Sequence, residues 1–334
     1  MAVAKTARAQ ETGLDADAMR AMYRHMVRAR VLDERLWVLN RQGRAPFVIS
    51  CQGHEAAQVG IAMALRPGYD WVAPYYRDAG VVLWFGMTAR DQMLSFFAKR
   101  EDPNSGGRQM PAHYGCRRLN IISGGSAVAT QVLHACGAAL AAKVRGEDAV
   151  ALTALGEGST SEGDFHEGLN FAAVHSLPLI CVVENNGFAI SVPWAKQSHT
   201  KDAADRAKGY GMPGVVVDGG DPIACYAAAR DAVERARRGK GPTLIEAKVA
   251  RLTPHSSDDD DRLYKRREVL ADEKAHDCLL RFRTALEERT VLAPGDAEEI
   301  RAEAMREVDK ALDEAEAAPL PAPESALLNV YAED

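Results

Sequence analysis

Residues 149–191 carry the pattern that most constrains how this chain can fold. An apolar run over residues 149–155 is followed by a segment whose apolar residues recur at helical spacing, and Pro178 ends that segment. A second apolar run covers residues 179–183. Short apolar runs on either side of an amphipathic helix are typical of parallel strands joined by a crossover. The pattern therefore predicts a strand–helix–strand unit at the centre of the molecule.

Polar residues follow both predicted strands. Gly156, Glu157 and Gly158 follow the first run, and the second run ends in a Glu-Asn-Asn sequence whose last residue is Asn186. Ligands of open parallel sheets bind at the carboxyl ends of the strands. The carboxylate of Glu157, the amide of Asn186 and the carbonyl of Phe188 would supply oxygen ligands for Mg²⁺. Either turn alone is typical of a structural loop, but two at neighbouring strand ends favour a site for Mg²⁺ and a diphosphate.

A dinucleotide site is the main alternative for this edge of the sheet. Gly156, Gly158 and Gly163 do not have the Gly-x-Gly-x-x-Gly spacing of such sites. The second run also ends in amides, where a dinucleotide site needs an acidic residue for the ribose. Both features disfavour this alternative.

The rest of the chain alternates predicted strands and helices, which indicates a doubly wound, mostly parallel α/β sheet flanked by helices. Predicted helices cover residues 15–42, 54–65, 127–144, 222–238, 268–288 and 294–317, and further strands cover residues 71–74, 215–217 and 243–249. We expect a flexible arm over residues 1–14, an α/β domain over residues 15–265, and C-terminal helices and a tail over residues 266–334. The sheet would thus carry helical extensions at both ends.

Composition excludes several classes of protein. The net charge of −6 gives no reason to expect binding to nucleic acid or to a membrane surface. No apolar run approaches the ~20 residues that a membrane span needs, and the N-terminus lacks the apolar core of a secretory signal. Six cysteines without a Cys-x-x-Cys pair predict reduced thiols in a cytoplasmic protein.

Seven longer stretches of the sequence carry recognisable motifs: PYYRD (74–78), SGGRQMPAHYG (105–115), GEGSTSEGDFHEG (156–168), ENNGFAIS (184–191), RAKGYGMPGVVVDGGD (206–221), GPTLIEA (241–247) and RLTPHSSDDDD (251–261). Together they resemble one known family, the alpha subunit of the thiamine diphosphate-dependent decarboxylase (dehydrogenase) component of 2-oxo acid dehydrogenase complexes. The Gly-Glu-Gly motif, the GRQMP-x-HYG sequence and the His-Ser-Ser loop are similar to the branched-chain type. The resemblance extends over about residues 15–332.

The resemblance implies a thiamine diphosphate-binding fold, with thiamine diphosphate and Mg²⁺ as cofactors. It implies oxidative decarboxylation of a small 2-oxo acid, with acyl transfer to a lipoyl group of an acyltransferase partner. In this family a separate beta subunit supplies the carboxylate that activates the cofactor, so the chain would work only in an α2β2 heterotetramer. Alternatives that stay open are a pyruvate or acetoin dehydrogenase alpha subunit, and a non-catalytic cofactor-binding or assembly subunit.

The same resemblance assigns residues to the metal and the diphosphate. Glu157, Asn186 and the carbonyl of Phe188 would bind Mg²⁺, with Phe where the family usually has Tyr. Tyr76 and Arg77 would hold the diphosphate, and a guanidinium suits phosphate oxygens because its donors match their geometry. Taken alone, Tyr-Tyr-Arg-Asp is typical of a helix start with a local ion pair.

Further residues would line the organic part of the cofactor. Gly156, Gly158 and Ser159 would contact the cofactor, the last two through backbone amides to the diphosphate. Ser126 and Val128 would lie on the aminopyrimidine side.

Two histidines are the candidate catalytic residues. His255 would lie over the cofactor as a proton handler and acyl-transfer partner, with a pKa near ~6.5 that neighbouring aspartates would raise. His113 lies near the end of a long polar loop over residues 101–118. Phe47, Gln52 and His113 fall where the family contacts substrate. A lone loop histidine is more often solvated, and Phe47 fits a simple core position equally well.

The sequence also departs from the residues that are usual in this family. None of the departures removes a predicted Mg²⁺ ligand, but they affect the aminopyrimidine pocket and the loop that carries His255. The change from Ser-Ser-Pro to Gly125-Ser126-Ala127 motivates the non-catalytic alternative. The departures are Gly125-Ser126-Ala127 for Ser-Ser-Pro, Leu133 for Pro, His54 for Gln and Lys265 for Arg.

Overall fold

The computed structural model describes residues 12–328 and 330 of the chain. Its strands, in chain order, are β1 (Trp71–Ala73), β2 (Ala151–Gly156), β3 (Leu179–Asn185), β4 (Phe188–Ala189), β5 (Val192–Pro193), β6 (Gly214–Asp218) and β7 (Thr243–Lys248). Five of them form a parallel sheet in the order β1-β2-β3-β7-β6. Strands β4 and β5 form a separate antiparallel pair. The predicted parallel sheet is thereby confirmed.

Helices join most of these strands, as a doubly wound sheet requires. In chain order they are α1 (Ala16–Arg41), α2 (Glu55–Ala62), α3 (Ala79–Trp84), α4 (Ala89–Phe96), α5 (Thr130–Arg145), α6 (Gly163–Val174), α7 (Pro222–Arg237), α8 (Arg267–Ala275), α9 (Cys278–Glu288) and α10 (Asp296–Ala317).

The sheet is covered on both faces because successive strand residues point to opposite sides. In β2, Leu152 and Ala154 belong to a core shared with α2, α3 and α7. Ala151 and Leu155 belong to a second core, shared with α5 and α6. Strand β3 lies between these layers and is buried along its whole length.

A third core joins the two ends of the chain. Helix α1 packs against α9 and α10 around apolar residues that α4 also contributes. A buried ion cluster adds to this contact. The Nε of Arg30 in α1 donates to Glu55 of α2 at 2.5 Å, and its Nη1 and Nη2 donate to Asp277 at 2.9 and 3.0 Å. The helical extensions are therefore packed on the α/β core.

Two predicted helices differ from the structure. The helix predicted over residues 268–288 is two helices, α8 and α9, because the carboxylate of Asp277 caps α9 by accepting from the N–H of Leu279 at 3.0 Å. The helix predicted from residue 127 begins at Thr130. Ala129 has a φ of 70°, which lies outside the right-handed helical region.

The predicted domain limits are only partly covered by the structure. The arm predicted over residues 1–14 lies largely outside the described residues. The limit at residue 265 stays a prediction, and α10, beyond it, shares a core with α1. Among the described helices, none has both the length and the apolar composition to cross a membrane.

Candidate active site

A cleft of about 330 Å³ opens at the carboxyl ends of β2 and β3. This is the edge at which parallel sheets bind ligands. Residues that lie far apart in the sequence meet there, including ten of those predicted to bind cofactor or metal. The ten are Tyr76, Arg77, Val128, Gly156, Glu157, Gly158, Ser159, Asn186, Phe188 and His255.

Glu157 is the buried carboxylate of this cleft, with no exposed surface. Its Oε2 accepts a hydrogen bond from the backbone N–H of Asn186 at 3.3 Å. Its Oε1 is buried and has no hydrogen-bond partner among the described residues. Burial raises the pKa of Glu157, although backbone N–H groups and the charges of Arg251 and Arg77 act in the opposite direction. A cation against Oε1 would satisfy this oxygen and favour the ionised carboxylate.

Asn186 and Phe188 follow β3 in a tight turn. Gly187 between them has a φ of 84°, which favours glycine. The Oδ1 of Asn186 accepts from the N–H of Phe188 at 3.3 Å. The carbonyl of Phe188 accepts from Nη1 of Arg251 at 3.4 Å, which leaves a second lone pair on that oxygen. The turn thus brings both predicted ligands to the cleft that holds Glu157.

Gly158 lies where the chain after β2 passes very close to β4. A Cβ at this position would lie 2.5 Å from the Cβ of Ala189. Any larger residue would therefore push β4, and with it the carbonyl of Phe188, away from Glu157.

Arg77 is a buried guanidinium at the side of the cleft, 2% exposed. Its Nη1 donates to the carbonyl of Ser50, and its Nη2 donates to the carbonyl of His255 at 3.3 Å. Its guanidinium carbon lies 5.5 Å from the ring centre of Tyr76. The local ion pair that the sequence also allowed is not formed, because the Asp78 carboxylate accepts from the backbone N–H of Tyr75 at 2.9 Å. Arg77 is held by carbonyl groups, so its positive charge remains available to an anion.

His255 lies beside Arg77 in the loop that follows β7. Its Nδ1 is 3.4 Å from Nη2 of Arg77, and its backbone N–H donates to Asp259 at 2.7 Å. Burial, followed by the charges of Arg77 and Arg251, lowers the pKa of His255 to about 4. Asp259 acts to raise this pKa, as predicted for the neighbouring aspartates, but burial and the two arginines outweigh it.

The loop over residues 251–265 is held from within the protein by Arg251, which is 1% exposed. Its Nη2 donates to the carbonyl of Ile190 at 3.0 Å and to the Oη of Tyr264 at 2.8 Å. The Oη of Tyr264 in turn donates to Asp259 at 2.5 Å. Arg251, Tyr264 and Asp259 therefore form one hydrogen-bonded brace beneath His255.

His113 and Ser126 meet in a smaller cavity of about 30 Å³. The Nε2 of His113 is 2.7 Å from the Oγ of Ser126, and its Nδ1 is 3.2 Å from the carbonyl of Met110. Since Nδ1 faces a carbonyl, this hydrogen-bond pattern assigns the ring proton to Nδ1 and makes Nε2 an acceptor for the Ser126 hydroxyl. The cavity adjoins the main cleft through the shared lining residues Tyr75, Tyr76, Val128 and Ser159.

Phe47 and Gln52 do not line the cleft. Phe47 is partly buried and lines a separate cavity of about 30 Å³ together with Ala112 and Tyr114. The carbonyl of Gln52 accepts from the N–H of Leu252 at 3.2 Å, at the start of the loop that carries His255. A substrate contact for these two residues stays a prediction.

Sequence reasoning missed some residues of the site and misplaced others. Tyr75, Glu162 and Ile190 also line the cleft. Glu184 and Asn185 were expected to follow the end of the second strand, but both belong to β3 and are buried. Of the Glu-Asn-Asn sequence, only Asn186 reaches the cleft. The signal for Tyr75 was its position next to Tyr76, whereas no local pattern distinguishes a buried Glu184 from a strand end.

Comparison with known families identifies the class of this protein. A family model described as the dehydrogenase E1 component matches residues 23–324, which include the whole sheet and the cleft. The chain therefore belongs to the dehydrogenase E1 family of oxidoreductases. The resemblance inferred from its motifs is confirmed.

The similarity extends over nearly the full length of individual relatives. The chain is 56% identical over 327 residues to the 2-oxoisovalerate dehydrogenase subunit alpha of Bacillus subtilis, covering 98% of this chain and 99% of that protein. It is 41% identical over 291 residues to the 3-methyl-2-oxobutanoate dehydrogenase subunit alpha of Mycobacterium tuberculosis, covering 87% and 76%. It is 39% identical over 304 residues to the pyruvate dehydrogenase E1 component subunit alpha of Bacillus subtilis, covering 91% and 79%.

Proposed function

We propose that this chain is the alpha subunit of a branched-chain 2-oxo acid dehydrogenase. It would catalyse thiamine diphosphate-dependent oxidative decarboxylation of a small 2-oxo acid, with acyl transfer to a lipoyl group of an acyltransferase partner. The observation that carries this proposal is the meeting of Arg77, Glu157, Asn186 and His255 in one cleft at the carboxyl edge of the sheet. The relatives named for 2-oxoisovalerate and 3-methyl-2-oxobutanoate support the branched-chain substrate.

The donor set of the cleft suits Mg²⁺. Glu157 presents a buried carboxylate oxygen that has no partner among the described residues, and Asn186 and the Phe188 carbonyl line the same space. Hard oxygen ligands are those that Mg²⁺ prefers, and it usually keeps phosphate oxygens among them. Among the described residues, the cleft included, no group of three or more His, Cys, Asp or Glu side chains is placed to hold a metal, so the ligands of this site would be one carboxylate with an amide and a backbone carbonyl. We therefore assign Mg²⁺ to Glu157, Asn186 and the Phe188 carbonyl.

The diphosphate would lie between this cation and Arg77. The guanidinium of Arg77 is buried, and its hydrogen-bond partners among the described residues are the carbonyls of Ser50 and His255 and the Nδ1 of His255, so a phosphate would compensate its charge. Tyr76 lines the cleft next to it, and Gly156, Gly158 and Ser159 line the side formed by the end of β2. Ser126 and Val128 lie toward the adjoining cavity, which suits the aminopyrimidine side.

Bound in this cleft, thiamine diphosphate would supply the carbanion chemistry that decarboxylation needs. The protein's part is orientation and proton placement. Since Nδ1 of His255 faces a guanidinium donor, it acts as an acceptor, and the proton of the neutral ring lies on Nε2. His255 would donate from Nε2 toward the reacting group, and His113 would orient Ser126 through the 2.7 Å contact.

Exposed apolar residues at the cleft support a site completed by a second chain. Val128 and Ile190 line the cleft and are 50% and 54% exposed. Large apolar side chains left in water at a binding site mark a surface that a partner covers. We infer that a beta subunit covers them in an α2β2 heterotetramer and supplies the carboxylate for the aminopyrimidine. All six cysteines are free and buried, which supports a cytoplasmic location.

A substrate panel tests the proposal. The chain, co-expressed with a beta subunit, is assayed with 3-methyl-2-oxobutanoate, 4-methyl-2-oxopentanoate, pyruvate and acetoin, using an artificial electron acceptor. We expect kcat/KM to be highest for the branched-chain acids and the isolated chain to be inactive. A strong preference for pyruvate or acetoin would replace the branched-chain assignment. Tight binding of thiamine diphosphate without turnover of any substrate would favour the non-catalytic alternative.

A further inference from the structure

Glu184 is a buried carboxylate that the assignment above leaves without a role. It lies in β3, two residues before Asn186, and is 1% exposed. One of its oxygens, Oε2, is shared by three hydrogen-bond contacts. Nδ1 of His54 lies at 2.6 Å, the Oη of Tyr75 at 2.8 Å and the Nε2 of Gln58 at 3.0 Å. Charge-assisted hydrogen bonds of this kind are short and directional, so they fix the groups that converge on the carboxylate.

The three groups that contact Oε2 of Glu184 come from two different segments, and the buried carboxyl of Asp78 also hydrogen-bonds to Glu184. His54 precedes α2 and Gln58 lies within it, whereas Tyr75 begins the turn that carries Tyr76 and Arg77. The side chain of Gln58 extends the connection, because its Nε2 also donates to the carbonyl of Arg77 at 2.9 Å. Its Oε1 accepts from the N–H of Gly80 at 3.0 Å. The turn that positions Arg77 is therefore bonded to the strand that positions Asn186.

We propose that Glu184 is a positioning residue for the cofactor cleft. It sets the distance between Arg77, which would bind the diphosphate, and Asn186, which would bind the cation. This inference rests on the proposed function, since it concerns the same cleft. Glu184 itself does not line the cleft and would touch neither cofactor nor substrate.

The simpler alternative is that Glu184 only stabilises the fold. Asp70 has that role at the amino end of β1, on the side of the sheet away from the cleft. Asp70 is also fully buried and also accepts three hydrogen bonds. Its donors are the N–H of Arg66 at 2.7 Å, the N–H of Val150 at 2.8 Å and Nη2 of Arg237 at 2.6 Å. Asp70 precedes β1, far from the cleft lining, so Asp70→Asn is a matched control for the loss of one buried carboxylate.

The test compares cofactor binding with stability in the complex of the chain and its beta subunit. Isothermal titration calorimetry gives the Kd for thiamine diphosphate at saturating Mg²⁺, and thermal unfolding gives the Tm. We expect Glu184→Gln to raise that Kd by about tenfold, the scale usual for residues that orient a ligand. Both variants should lower the Tm to a similar extent, because each loses one buried carboxylate. Asp70→Asn, however, should change the Kd less than about twofold.

A milder variant keeps the test decisive if Glu184→Gln does not fold. Tyr75→Phe removes a single hydroxyl from the cluster and should raise the Kd about threefold, because one hydrogen bond is lost. If Glu184→Gln folds and its Kd is unchanged, the positioning role is overturned and the proposed function stands. If only Tyr75→Phe folds, an unchanged Kd in that variant leads to the same conclusion. Failure of the unmodified complex to bind thiamine diphosphate would overturn both.

Discussion

The carboxylate of Glu157 and the main chain of Asn186 are joined across the ends of β2 and β3, where Oε2 accepts the Asn186 N–H at 3.3 Å. The two strands are paired in register as far as Gly156 and Glu184. The contact lies just beyond the last pair and leaves Oε1 of Glu157 without a partner among the described residues. Two candidate ligands of one cation are thus placed by strand register.

Replacing Glu157 with Gln should weaken Mg²⁺ binding and leave the cofactor-free protein stable. Mg²⁺ binding should weaken because the substitution removes the negative charge that a cation needs. Stability should be kept because the substitution also removes a buried carboxylate whose Oε1 is unpaired. We expect the Kd for Mg²⁺, measured calorimetrically with thiamine diphosphate present, to rise about tenfold or more. Glu162→Gln is the matched control, because Glu162 is an exposed carboxylate of the same cleft. Equal Mg²⁺ affinity in the Glu157 variant and the unmodified protein would contradict the metal assignment.

The elements of the central sheet were predictable because they depend on local pattern. An apolar run ending in Gly-Glu-Gly marks a buried strand that stops where glycine and a charged residue begin, and β2 ends at Gly156. Glu184 shows where that reasoning fails. A charged residue after an apolar run indicates a strand end, yet β3 continues through Asn185. Its burial depends on His54 and Tyr75, which are 130 and 109 residues away in the sequence.

The direction in which the pKa of His255 is shifted could not be predicted from the sequence either, because it depends on side chains that are remote in the sequence. The aspartates that follow His255 are visible in the sequence and suggested a raised pKa. Burial and the neighbouring Arg77, 178 residues away, lower that pKa instead. Distances between side chains of remote segments decide the sign of such a shift, and only the folded chain supplies them.

Arg77→Lys should reduce cofactor affinity while keeping the positive charge. Lysine cannot reproduce the two donors with which Arg77 reaches the carbonyls of Ser50 and His255, nor the fork that matches phosphate oxygens. We expect the Kd for thiamine diphosphate to rise about tenfold to a hundredfold in calorimetric titrations. Arg100→Lys offers a control, since Arg100 is an exposed arginine outside the cleft lining. Retention of full affinity by the Arg77 variant would show that a point charge suffices.

The contribution of His25 to the stability of the protein should fall as the pH drops from about 6.5 to about 4. Burial, followed by the charge of Arg28, lowers the pKa of His25 to about 4. Between these values the unfolded chain binds a proton at this residue that the folded chain does not, so His25 makes the free energy of unfolding rise with pH by roughly 1–3 kcal/mol. Asp33, whose pKa burial raises to about 7, acts in the opposite direction in the same window. The slope of the free energy of unfolding against pH, measured by urea unfolding, should therefore be lower in His25→Gln than in the unmodified chain, whereas His276→Gln, at a side chain 57% exposed, should not lower it.

Tyr264→Phe should loosen the loop over residues 251–265 without unfolding the protein. The substitution removes the hydroxyl that accepts from Arg251 at 2.8 Å and donates to Asp259 at 2.5 Å, while it keeps the ring next to Phe188. Local opening of the loop should therefore become more frequent, and trypsin should cleave after the exposed Arg262 about tenfold faster at an unchanged Tm. Leu263→Ala is the control, because Leu263 is 84% exposed in the same loop and makes no such contact in its side chain. Cleavage of both variants at the rate of the unmodified chain would contradict this prediction. It would show that the brace formed by Arg251, Tyr264 and Asp259 does not order the loop that carries His255.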